Sequence, residues 1–203
     1  YWVPADSAGV RLEDYMRIDG SFMGELTLDA VVPRAYRLAV GAPAHRALAE
    51  SIAAAQFVQG AELLGIAQRA FDLTSAYMAT RVQFGRPIGA NQALQHRMVD
   101  AYIQIELARA CLTDGLGSHE SGTADLATLA SRVKARCGHA ATLMTRQAIQ
   151  FHGALGITDE CDIGLYAKRA MYLCSWLGGV SQHRSRHFER ASRVITTDDT
   201  SDE

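Results

Sequence analysis

The chain has 203 residues, 48% of them hydrophobic, and a formal net charge of -2. That length supports one sizeable core with room for a small satellite. Near-neutral charge with dispersed basic residues excludes the footprint of a nucleic-acid binder, and no apolar run of about 20 residues is present to cross a membrane as a helix.

Residues 1 to about 40 read as β. Tyr1–Val3, Leu12–Ile18 and Glu25–Val32 are short runs separated by Asp6-Ser-Ala-Gly9 and Asp19-Gly20, which carry turn chemistry. Two or three strands do not make a stable sheet alone, so their partners are either missing or supplied by another chain. The opening Tyr-Trp-Val-Pro, without Met, reads as a fragment or as part of a longer protein.

From about Arg46 the pattern is helical. The first helix is expected over Ala49 to about Thr80, with small residues Gly60 and Gly65 allowing close approach. A Gly/Pro break follows in Thr80-Arg-Val-Gln-Phe-Gly-Arg-Pro-Ile-Gly89. The second helix is expected from about Asn91 to Leu112, stopping before Asp114-Gly115, with a polar loop over Gly115–Gly122. Thr123 is placed to cap a third helix, Ala124 to about Phe151. Gly153 and Gly156 break the chain, a shorter helix covers about Ile163–Leu173, and a basic helix runs from Gly178-Gly179 to about Arg193. Thr196–Glu203 reads as a frayed acidic tail. Long helices with short connections predict an antiparallel bundle.

Few residues suggest chemistry. Arg81 and Gln83 put a bidentate cation and an amide at a helix end, suited to a phosphate or pyrophosphate. The competing reading is a helix C-cap closed by Gly85 and Pro87. Gln150-Phe-His-Gly-Ala-Leu-Gly-Ile-Thr158 is a glycine turn able to aim N–H groups at an anion. His152 there is either a ligand or acid/base group, or a helix-terminal side chain satisfying a carbonyl. Trp176-Leu-Gly-Gly-Val-Ser-Gln-His-Arg184 leads into a helix N-terminus, or is a plain connection. Glu62 lies among small and apolar neighbours, either as a base of raised pKa or as a paired or solvated carboxylate. Cys111, Cys137, Cys161 and Cys174 form no CxxC pair and have no histidine at zinc spacing. They predict free thiols in a reducing, cytoplasmic setting. His96, His139 and His183 are scattered, and no metal site is expected.

Taken in order, these segments resemble the C-terminal half of the acyl-CoA dehydrogenase family. The matching residues are Leu64-Gly-Ile-Ala-Gln-Arg-Ala-Phe-Asp72, Tyr77, Arg81-Val-Gln-Phe-Gly-Arg-Pro-Ile-Gly89, Gln92, His96, Asp100, Gln150-Phe-His-Gly-Ala-Leu-Gly156 and Leu165-Tyr166. The opening Tyr1–Val10 is similar to the late strands of that family's middle β-domain. The resemblance implies a mainly α fold: the end of a β-domain over residues 1–44, a C-terminal antiparallel helical bundle over 45–195 and a disordered acidic tail over 196–203. It also implies FAD shared across a subunit interface. Arg81, Gln83, Phe84 and Gln92 match the first set of cofactor contacts, and Gln150 and Gly153 fall in the second.

In the family a carboxylate removes the α-proton of an acyl-CoA while hydride passes from the β-carbon to the flavin. Most members carry that Glu in a Glu-Gly-Thr-Ser-like run before the last helix; here the run is Leu177-Gly-Gly-Val-Ser181. Val180 stands where a hydroxyl usually contacts flavin. The alternative position, on the first helix of this domain, is about Ala55. The resemblance therefore implies the non-catalytic subunit of a heteromeric bacterial enzyme, α2β2 with a paralogous catalytic subunit. Its expected substrate class includes steroid-derived CoA thioesters, with electron-transfer flavoprotein as a further partner. Two alternatives stand beside it: a self-sufficient homo-oligomer using Glu62 as base, and a structural subunit that binds no flavin.

Overall fold

The computed structural model describes residues 1–29 and 32–198. Strands β1 (Val10–Met16) and β2 (Phe22–Leu28) form an antiparallel hairpin, with Val10 opposite Leu28 and Met16 opposite Phe22. Its turn closes with Arg17 N donating to Ser21 O at 2.8 Å, and Gly20 takes φ +77°. Tyr1–Val3 is not a strand; Trp2 N reaches Tyr36 O through a single bond of 2.8 Å. The expected strand to Val32 ends at Leu28, and part of that expected span, residues 30 and 31, lies outside the described residues.

Five α-helices follow among the described residues: α1 (Ala42–Thr80), α2 (Gln92–Glu120), α3 (Leu126–His152), α4 (Ile163–Ser175) and α5 (Val180–Asp198). The chain divides into two compact units, Tyr1–Ser51 and a second from Ile52 onward. In the second unit α3 is central and packs on α2, α4 and α5. The buried residues of α1, such as Phe57, Gly60, Leu63, Leu64, Ala67, Ala70, Thr74 and Met78, recur every three or four positions and form one stripe. At Gly60 that stripe meets α3 so closely that a Cβ would fall 2.5 Å from Val133 Cγ1. The core is filled by small residues and a few large ones: Leu63, Ile105, Val133 and Met144 are fully buried beside Ala67, Ala101, Ala108 and Ala140.

Three local expectations are corrected. Helix α2 does not stop before Gly115 but runs on to Glu120. Gly115 is buried, and a Cβ there would lie 3.0 Å from Val133 Cγ2 and 3.1 Å from Phe57 Cε2, so this glycine marks helix contact rather than helix end. The cap of α3 is Asp125, whose Oδ1 accepts from Thr128 N at 3.0 Å, while Thr123 Oγ1 donates back to Ser118 O. The last helix includes residues 196–198, and residues 199–203 of the expected tail lie outside the described residues. All four cysteines are free, and none of the described helices is long and apolar enough to cross a membrane.

Candidate functional site

The Gly/Pro break after α1 is a tight β-hairpin, not a helix cap. Arg81 N still donates to Tyr77 O at 2.8 Å, then β3 (Val82–Gln83) pairs with β4 (Arg86–Pro87), and Ile88 N closes on Arg81 O at 2.8 Å. The two turn residues, Phe84 and Gly85, have φ +54° and +79°, the pattern of a type I′ turn. Gly85 therefore serves the hairpin's twist. Phe84 is carried to its tip and is 97% exposed.

Beyond the hairpin the chain is fixed to the start of α2. Arg86 Nη2 donates to Asn91 Oδ1 at 2.7 Å, Asn91 Nδ2 to Ile88 O at 2.9 Å, and Gln95 Nε2 to Gly89 O at 2.8 Å. Gln92, the first residue of α2, is exposed and lies outside the groove described next.

A groove of about 500 Å³ is lined by Tyr77, Arg81, Gln83 and Ile88 from the first segment and by Gln150, Phe151, His152, Gly153, Ala154 and Leu155 from the end of α3. Four residues singled out in the sequence, Arg81, Gln83, Gln150 and Gly153, thus come together from segments separated by more than sixty positions. Among the described residues, the side chains of Arg81, Gln83 and Gln150 make no ion pair or hydrogen bond. Gly153 ends α3 with φ +62°, a left-handed value that suits glycine. His152 is buried, its Nδ1 donates to Ala148 O at 2.8 Å, and its ring stacks on Tyr77 with centroids 4.2 Å apart. The Arg97 guanidinium sits 4.8 Å above the Phe151 ring, although Arg97 does not itself line the groove.

The loop before α5 is built quite differently. Leu177 and Gly178 take φ +58° and +113°, and their carbonyl region is gripped from inside. Lys134 Nζ donates to Trp176 O, Gln56 Nε2 to Leu177 O at 2.8 Å, and His183 Nε2 to the same oxygen at 3.2 Å. Ser131 Oγ in turn donates to His183 Nδ1 at 3.3 Å. Burial lowers the Lys134 pKa to about 8; the neighbouring Cys174 raises it against that, and Arg186 adds a smaller lowering effect. Burial, then the charges of Lys134 and Arg186, lowers His183 to about 4. Lys134 was legible in principle, since it falls on the buried stripe of α3 with Ala130, Val133, Cys137 and Ala141.

No carboxylate stands in Leu177–Ser181, and Ala55 supplies none from α1. Glu62 is half-exposed and its Oε1 accepts from Arg169 Nε at 2.6 Å. Its side chain is committed to that surface ion pair.

The family model for the acyl-CoA dehydrogenase C-terminal domain matches residues 45–191. Acyl-CoA dehydrogenase IpdE2 of Mycolicibacterium smegmatis is 44% identical over 124 residues, which is 61% of this chain and 38% of that protein. IpdE2 of Mycobacterium tuberculosis is 42% identical over 116 residues, or 57% of this chain and 35% of that protein. A solved variant of the "Tcur3481-Tcur3483 steroid ACAD" superposes with a TM-score of 0.85 at 30% identity, over 96% of this chain and 52% of that one. The chain thus spans about half of that solved structure and a smaller share of the two IpdE2 relatives.

Proposed function

Because the chain belongs to the acyl-CoA dehydrogenase family, we propose that it is a non-catalytic subunit that completes the FAD site of a catalytic partner. The observation that carries this reading is the groove. Arg81, Gln83 and Gln150 converge there with their polar groups unspent, around a glycine turn. This donor set fits the pyrophosphate and adenosine half of FAD: a guanidinium can pair with phosphate oxygens, and two amides can meet sugar and base. Phe84, exposed at the hairpin tip, belongs to the same reading as a contact to FAD held by the neighbouring subunit. Gln92 stands at the start of α2 as a more distant contact.

When bound, FAD supplies the hydride acceptor for α,β-desaturation of an acyl-CoA thioester. The proton acceptor for that step is a carboxylate, and this chain presents none in the loop or at Ala55, which supports placing the base in the partner. The ion pair of Glu62 with Arg169 weighs against the self-sufficient alternative. What this chain does in the complex is bind and orient the cofactor. A steroid-derived CoA thioester as substrate draws support from the likeness to the steroid ACAD. An α2β2 assembly in the cytoplasm and electron-transfer flavoprotein as acceptor belong to the same reading.

The test is flavin occupancy of the co-purified complex. Arg81→Ala is expected to weaken FAD binding by about tenfold or more, the scale of a lost charge-assisted phosphate contact. Full occupancy in that variant, or a colourless wild-type complex, would count against the proposal.

A further inference from the structure

We infer that His152 is a hydrogen-bond acceptor for the adenosine end of the cofactor, and so a specificity-determining residue of the groove. The inference rests on the FAD half-site reading above. The Ala148 carbonyl can only accept, so the proton of this hydrogen bond sits on His152 Nδ1. In the neutral form of an imidazole so bonded the lone pair lies on Nε2, and no protein group among the described residues partners that atom. The residue is 7% exposed, yet it lines both the Arg81 groove and an adjoining cavity of about 300 Å³. The stack on Tyr77 and the Nδ1 bond fix the ring plane, so Nε2 is held in one direction without help from a ligand.

The chemistry of the atom selects its partner. Phosphate oxygens only accept, so a lone pair cannot serve them, and Arg81 is the group that does. Next to a pyrophosphate seated on Arg81, the donors are the ribose hydroxyls and adenine amino group on one side and the ribityl hydroxyls on the other; the half-site reading, which takes the adenosine half, assigns the first set to His152. His183, the other buried histidine on α3's packing surface, has the opposite arrangement: its Nε2 donates to a carbonyl and both its nitrogens are used within the protein. Of these two buried histidines, only His152 keeps a ring nitrogen for something else.

The experiment compares His152→Leu, His152→Gln and Arg81→Ala in the intact complex, stripped of flavin and titrated calorimetrically with FAD and with ADP. A Gln side chain can return an acceptor near the Nε2 position; Leu cannot. Loss of one neutral hydrogen bond predicts about three- to tenfold weaker binding of both probes by H152L, with H152Q within about twofold of wild type. Unchanged affinity of H152L overturns the inference. So does equal loss in H152L and H152Q, which would mean that the ring acts by packing on Tyr77. Weakened FAD with unchanged ADP overturns the adenosine assignment, because ADP lacks the flavin and its ribityl chain. The Arg81→Ala arm separates the two readings. Its loss of FAD affinity beside an unaffected H152L sinks only the histidine, whereas its full affinity sinks the half-site itself.

Discussion

Two buried titratable side chains, Lys134 and His183, converge on the loop that lacks a carboxylate, and His183 sets its response to acid. His183 is fully buried with both ring nitrogens bonded, and its pKa is lowered to about 4 by burial first and by Lys134 and Arg186 after it. The folded-state value lies below the ordinary 6.5. The unfolded chain therefore takes up a proton first as pH falls, and stability is lost between about 6.5 and 4. That loss amounts to at most about 3 kcal/mol, less whatever solvent screens. His183→Gln, which keeps an amide donor for Leu177 O, is expected to flatten the melting temperature against pH in this window. A slope equal to wild type would refute the assignment. Glu62 makes the opposite case. Its pair with Arg169 is half-exposed, a class worth about 0–1 kcal/mol. Glu62→Gln should therefore shift stability by less than that and leave turnover of the assembled complex unchanged; abolished turnover would restore Glu62 as a base.

At the scale of elements, glycines decide where sequence reading succeeds. Gly115 and Gly117 lie two residues apart in α2, but only Gly115 faces other helices. A Cβ at Gly115 would press on Val133 and Phe57, whereas one at Gly117 meets nothing within 4 Å. Gly115→Val is expected to destabilise by about 1–3 kcal/mol through overpacking. Gly117→Ala should stabilise by up to about 1 kcal/mol through helix propensity. Thermal melts of both variants check the pair, and equal effects would contradict the packing argument. The same contrast explains what was legible. Local chemistry marks Gly115 and Gly122 alike as stops, and only the three-dimensional approach of α1 and α3 tells them apart. Likewise Phe84-Gly85 next to a helix end reads as a cap, because the pairing of Val82 with Pro87 that makes it a hairpin is a choice between two short segments. The long stripes of α1 and α3 were readable because their period repeats over many turns.

For the molecule as a whole, the groove was legible only as parts. Arg81 and Gln150 could be named from their local turns, but their meeting depends on α1 and α3 both ending at the same place. The sequence names His152 without its tautomer, and it does not bring Gln56, Lys134 and His183 together, because each comes from a different helix. The β unit shows what a sequence can specify without completing. Alternation places Val10, Leu12, Met16, Phe22, Leu26 and Leu28 on one face of the hairpin, in a register of direct pairs. Leu12, Met16, Phe22, Leu26 and Leu28 are 56–72% exposed. A lone two-stranded hairpin with an uncovered apolar face has little to hold it in water. For the 203-residue polypeptide, amide hydrogens of β1 and β2 should therefore exchange with solvent orders of magnitude faster than those of α3, whose core positions Val133, Cys137, Ala141 and Met144 are fully buried. Hydrogen exchange read by mass spectrometry measures both in one experiment. Protection of Leu12 or Leu26 equal to that of Val133 would mean that the hairpin is stabilised by more than its own pairing. Slow exchange appearing only on addition of the partner subunit would locate that stabilisation in the assembly.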